Sequence, residues 1–397
     1  HEEVASIGAI TSKGAAFIKA DSYNSTGGML NTDHLALDVS NVSLNALSLS
    51  GADSFGRNGG SYSKYSEKTH LGAGVAANTA GGKIGNLNLK GSSFIAEDTA
   101  GLTLGNIRAE SVVNTYDTES RQSSRSTFSS GSSYRKSHTE ENSASNLMLG
   151  KNAVITGNVE GIGSNIVLGE NTYVGGKVTT DSRELHNSYY EENRKKGFSG
   201  GISHGTASLN YGKSQSTYDE KSTVNAKSNL QIGDGSVLNR GAEITATNFE
   251  YGNIQINNGD VKYGARIDTR DVKTTSRSSN FGVSVGINSP IKDRIKQVAG
   301  AVSQVKNGDT AGGAMEAINA AAGTIKGLSE NITKSDGTRA TMNDIRSGNF
   351  KVNNDFYVSG NIRAGFNKSK SSTTSYTESA AVTTMKPLNE NSSITYN

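Results

Sequence analysis

The chain has 397 residues, 33% of them hydrophobic, with 47 Gly, only 2 Pro, no Cys and a formal net charge of +3. The absence of cysteine excludes disulfide frameworks, thiolate metal sites and Cys nucleophiles. So small a net charge argues against a dedicated nucleic-acid binder, and no apolar run approaches the length of a membrane-spanning helix. No stretch reads as a signal peptide, and a chain that opens on His1 is expected to be a fragment or a processed product.

In chain order, the first feature is SYSKYSEKT around Tyr65, a Ser/Thr-rich charged segment in which Glu follows Tyr closely. Related segments recur as NTYDTESRQ near Tyr116, NSYYEENRK near Tyr190, STYDEKST near Tyr218 and TSYTESAA near Tyr376. After the first comes HLGAGVAAN from His70, a weak alternating pattern of the hairpin type.

A second motif then takes over. A phrase of about thirteen residues begins with Asn, alternates apolar residues, turns at Gly or Asn and closes on another short apolar pair. Its copies start at Asn146 (NLMLGKNAVITGN), Asn165 (NIVLGENTYVGGK), Asn229 (NLQIGDGSVLNRG) and Asn349 (NFKVNNDFYVSGN), with a looser copy, NLKGSSFIAEDT, from Asn88 to Thr99. The step from Asn146 to Asn165 is nineteen residues, and Asn248 follows Asn229 at the same distance. No single phrase carries enough apolar surface to bury a face, so the copies are expected to stack. Leu147, Leu149, Val154 and Ile155 are predicted to face inward and to line up over Ile166, Leu168, Tyr173 and Val174, which face inward as well.

Between phrases, GFSGGISHGTASLNYGK alternates Phe198, Gly200 and Ile202 on one arm with Ala207, Leu209 and Tyr211 on the other, about a turn at Ser203 to Thr206. FGVSVGIN from Phe281 repeats the pattern. These read as long two-stranded arms that leave the stack and pack side by side, because an isolated hairpin is marginal in water. From Ser289-Pro290 the period changes: Ile291, Ile295, Val298, Val302 and Val305, then Ala314, Ile318, Ala321, Ile325 and Leu328, fall at helical spacing, predicting a helical hairpin.

The expected architecture is therefore all-β: a right-handed parallel β-helix of about 19–20 residues per coil with projecting β-hairpins and one inserted helical hairpin. Residues 1–288 are assigned to β-solenoid with hairpins, 289–335 to the helical insertion, and 336–397 to a further coil and hairpin.

Together the nineteen-residue phrases, the Tyr-Glu segments with GFSGGIS and FGVSVGIN, and the Ala/Gly-rich stretch after Ile287 resemble the haemagglutinin repeat of filamentous-haemagglutinin-like and contact-dependent growth-inhibition exoproteins of two-partner secretion. The resemblance spans about Leu30 to Ala381. It implies a secreted, bacterial cell-surface segment acting in adhesion or in toxin delivery to neighbouring cells. The implied partners are a protein or glycan on a host or neighbouring cell and an outer-membrane secretion partner, with no nucleic acid and no stable membrane span.

Catalytic chemistry finds little support in the residues. Solenoids of this shape include polysaccharide lyases and hydrolases, but Glu140-Glu141, Glu191-Glu192 and Asp219-Glu220 are strand neighbours that point to opposite faces. No two of His1, His34, His70, His138, His186 and His204 stand at metal-ligand spacing, and GDGSV at Gly233 lacks the tandem repeats of calcium-binding turns. A non-enzymatic protein without cofactor or metal is expected, either contact-making or an inert spacer. The candidate contact residues are Tyr189, Tyr190, Phe198, Ile202, Leu209, Tyr211 and Tyr218, because exposed aromatics give large contact area; the basic run Arg194-Lys195-Lys196 is a further candidate for anionic glycan.

Overall fold

The computed structural model describes residues 8–286, except 58, 204 and 205, and residues 362–397, with the short pieces 289–290, 332–333, 351–352 and 357–358 between them. The described chain is all-β, in a strongly curled sheet with no helix among the described residues. It divides into stacked layers of short parallel strands and four long antiparallel arms.

Parallel register carries the layers. Asn146, Leu147, Met148 and Leu149 pair with Asn165, Ile166, Val167 and Leu168, which pair in turn with Asn229, Leu230, Gln231 and Ile232, and the run continues to Asn248 and Phe249. Leu147, Leu149, Ile155, Ile166, Leu168, Val174, Leu230, Ile232, Leu238 and Phe249 are all buried. Val154 and Tyr173, both predicted to face inward, point out and are 39% exposed. They are the first residues of the two-residue strands Val154–Ile155 and Tyr173–Val174, whose second residue takes the inner position.

The layers continue beyond the phrases that announce them. Ala9–Thr26, Met29–Asn45 and Gly74–Lys90 stack in parallel as long bent strands. HLGAGVAAN thus ends an arm strand at His70 and Leu71 and starts a layer at Gly74, and is not a hairpin of its own. The looser phrase also sits in another register: Asn146 pairs with Ser93, not with Asn88, and Leu147 covers Phe94. At the other end, Thr384–Pro387 and Ser393–Tyr396 lie on Thr247–Tyr251 and Asn253–Ile256. The phrase at Asn349 does not join the stack where it is described, since Lys351–Val352 pairs antiparallel with Ile332–Thr333 and Tyr357–Val358 with Ser289–Pro290. Ser289-Pro290 is thereby strand and not a helix start; most of the expected helical hairpin lies outside the described residues.

An alternation organises the whole. Layers ending at Asn45, Glu110 and Asp181 run into arms, whereas those ending at Thr26, Lys90, Ile162 and Thr245 pass directly to the next layer. The direct passages use one corner with left-handed backbone, at Gly27 (φ 66°), Gly91 (φ 59°), Gly163 (φ 58°) and Ala246 (φ 42°), where glycine pays no side-chain penalty. Thus each arm is accompanied by two layers. Two layers rise about 9.6 Å and two paired strands are about 9.6 Å wide, so the arms meet edge to edge without strain.

Those arms comprise Leu47–Arg57 with Ser61–Leu71, Val112–Arg125 with Ser129–Ser143, Arg183–Ser203 with Thr206–Ala226, and the outer part of Val261–Gly286 with Ile362–Val382. Residues 62–68 pair with 115–121, 129–138 with 188–197, and 206–223 with 269–286. The result is one eight-stranded antiparallel sheet, hydrogen-bonded across every arm boundary.

Candidate interaction surface

Both faces of the arm sheet carry tyrosine and carboxylate in repeated contact. Residues two apart on a strand share a face, and the sequence uses this spacing: Tyr65 donates to Glu67 at 2.5 Å, Tyr189 to Glu191 at 2.7 Å, Tyr376 to Glu378 at 2.8 Å, and Tyr218 to Glu220. The carboxylate acceptor holds each phenol proton in place, pushing the Tyr65 hydroxyl up to about 12 and raising Tyr189, Tyr218 and Tyr376 in the same sense. Across strands, Arg270 donates to both oxygens of Glu220 at 2.7 and 3.0 Å; these bonds, with that of Tyr218, draw the carboxyl down to about 2. The segment at Tyr116 departs from the spacing, and its hydroxyl reaches Glu141 on the neighbouring strand at 3.4 Å.

The strand register divides the seven candidate contact residues between the two faces. Tyr189 lies opposite Glu220 and Tyr218 opposite Glu191, which places both tyrosines on one face, with ring centroids 5.9 Å apart. Tyr190, Phe198, Ile202, Leu209 and Tyr211 occupy positions on the other face. There Tyr190 meets Tyr134 edge-on at 6.0 Å, and Phe198 lies against Tyr211 at 4.9 Å. Phe281 and Val283, directly across from Tyr211 and Leu209, are almost completely buried at 2% and 3% exposure. The predicted residues therefore form two clusters and not a single site, and all but Ile202, whose side chain lies outside the described set, are half-buried.

The paired carboxylates have separate partners. Glu191 takes bonds from Tyr189, Asn193 and Arg135, while Glu192 takes bonds from Arg194 and Gln215 on the opposite face. Asp234 of the GDGSV turn is spent on stacking: it accepts from the Asn253 amide at 2.6 Å and from Asn389 at 3.1 Å. Among the described residues no three His, Cys, Asp or Glu side chains group as a metal site, and no helix is long and apolar enough to cross a membrane.

Two hollows on the Tyr189 face, of about 500 and about 390 Å³, adjoin at Ser124, Gly131 and Lys195. Ser and Gly from neighbouring arms coincide there beside Phe55, Gln122 and Lys195, a juxtaposition invisible before the arm order is known.

Comparison of the chain with family models, with curated proteins and with solved structures finds no match.

Proposed function

We propose that this chain is a non-enzymatic contact segment of a secreted bacterial surface exoprotein, acting in adhesion or in contact-dependent delivery of a toxin to neighbouring cells. In this reading the layers close into a right-handed parallel β-helix that serves as a rod, and the arms are its working part. One observation carries it: the arm sheet is a single layer with partly open faces on both sides, built from strands as long as 21 residues, or about 70 Å. A spacer needs only the rod. Long polar arms whose tyrosines are only partly buried are suited to meeting a protein or glycan on another cell.

The test replaces Phe198 and Tyr211 together with Ser and measures binding to whole cells alongside thermal unfolding. Binding is expected to fall while the layer core unfolds as before, since stacked-repeat stability is set by neighbours. Cooperative unfolding of the whole chain would make these residues structural; unchanged binding would reduce this part of the arms to a spacer.

A further inference from the structure

Two neighbouring rows on the Phe198 face are unlike the rest of the described arm sheet. Taken by Cα partners across six adjacent strands, the first reads Arg125, Ser130, Lys196, Lys213, Ser279, Lys368, and the second Ser123, Ser132, Arg194, Gln215, Arg277, Lys370. Residues directly opposite share a face. The rows thus hold seven cations and five neutral hydrogen-bonding side chains, with no acidic and no apolar residue. All seven cations are exposed. On the reverse face, the row between them reads Ser124, Gly131, Lys195, Ser214, Ser278, Ser369 and has one cation.

This arrangement works against the sheet. Lys196 lies directly opposite Lys213, and Arg277 directly opposite Lys370, and like charges in directly opposed positions destabilise strand pairing. At least two of the cations also have partners within the protein: Arg194 is paired to Glu192 at 2.7 Å, one row nearer the layers, and Lys213 is engaged as well. Like charges set directly opposite one another on an exposed face are suited to an anionic ligand laid across them.

We propose that these two rows bind an acidic polysaccharide lying across the strands, its acid groups on the Arg and Lys side chains and its hydroxyls on Ser123, Ser130, Ser132, Gln215 and Ser279. The strip is about 24 Å long and two residues wide, which fits an extended polymer. The interleaved hydroxyl and amide groups match a ligand that alternates charge with neutral hydroxyls, as an acidic sugar chain does. The proposal rests on the surface-contact reading and names a ligand class for it.

The test measures binding of polygalacturonate oligomers to the whole chain by calorimetry at low and high salt, beside phosphatidylglycerol vesicles and single-stranded DNA. Wild type is expected to bind the polyuronate, with affinity falling as salt screens the rows. The triple variant Lys196→Ser, Lys213→Ser, Lys368→Ser is expected to bind at least tenfold more weakly while melting at the same or a higher temperature. Lys195→Ser, the one residue of the basic run Arg194-Lys195-Lys196 that strand parity turns to the reverse face and out of these rows, should stay within twofold of wild type. Equal binding by the triple variant, or capture of vesicles or DNA in place of the polyuronate, overturns the proposal. Whole-cell binding separates the two readings: if cells are bound and polyuronate is not, this proposal fails alone, and if polyuronate is bound and cells are not, the surface-contact reading fails.

Discussion

The layers and the arms solve the same problem, the pairing of every backbone group in a β-rich chain, with opposite resources. In the layers each strand has one dry face, and the column of Leu149, Leu168 and Ile232 is fully buried. In the arms neither face is dry over most of its length. There, stability comes from cross-strand ion pairs, Tyr-carboxylate bonds and edge-to-edge pairing between arms. A single layer of polar sheet persists because each arm borrows its spacing from two of the stacked layers. The comparison teaches that order in the arms is imposed from the root outward, and perturbations should differ in size accordingly.

The largest effect is expected in the layers. Leu168→Ala removes a fully buried side chain with a neighbour above and below, and should cost about 2–5 kcal/mol, read as a lower denaturation midpoint. Equal loss from an arm change such as Tyr65→Ala would erase the distinction between the regions.

Next come the buried polar corners of the layers. Ser228 is fully buried, accepts from the Ser164 amide at 3.0 Å and donates to the Asp181 carbonyl at 2.6 Å. Ser228→Ala strands both groups and should cost about 1–3 kcal/mol, measurable by chemical denaturation. The outer asparagine ladder, in which Asn165 donates to Asn146 at 2.8 Å and Asn229 to Asn165 at 2.7 Å, is partly solvated and contributes less per rung.

Much of this was legible in the residues, for identifiable reasons. Asn146, Asn165, Asn229 and Asn248 repeat because each amide bonds to the one below, so a structural ladder leaves a literal trace in the sequence. The last layer was missed because Thr384 replaces that Asn, its hydroxyl donating to Asn248 at 2.9 Å, and because Pro387 is tolerated at the end of its strand. The phrase at Asn88 misled by one turn since Ser93 can take the Asn position. The hairpin of Phe198 and Tyr211 was readable from alternation alone. Its division of the candidate tyrosines between faces follows from the same parity, but only once Ser203 is paired with Thr206. The cationic rows were beyond reach, because Arg125 and Lys368 are far apart in sequence and meet only through the order of arms.

In the arms, single contacts should matter less. Tyr189→Phe removes the bond to Glu191 but keeps the ring against Tyr218, so about 1 kcal/mol or less is expected. The cost should appear as faster amide exchange in the third arm, with the exchange of the layers unchanged. Protection lost equally in both regions would mean that they unfold as one unit.

The smallest effect is the most informative about how arms are joined. His138 receives its strongest influence from the Asp117 carboxylate, 2.8 Å from Nδ1, with Glu140 3.5 Å from Nε2, and its pKa is raised. Glu140 also accepts the His186 amide of the third arm at 2.6 Å, so the imidazole stands at the boundary between second and third arms. The facing charged and titratable groups are Asp117 and Glu119 from one neighbouring strand, His186 and Tyr190 from the other, and Lys136 and Glu140 on its own strand. A raised folded-state value means that the added stability is fully present below the ordinary value near 6.5 and is lost as pH rises through the raised one. Arm-boundary protection should therefore decline as the pH is taken from 6 to 8, by less than about 1 kcal/mol because the site is partly solvated. His138→Gln should flatten that dependence without lowering the melting of the layers. A slope that survives the substitution would assign the pH response to other groups and leave the arm boundary held by backbone pairing alone.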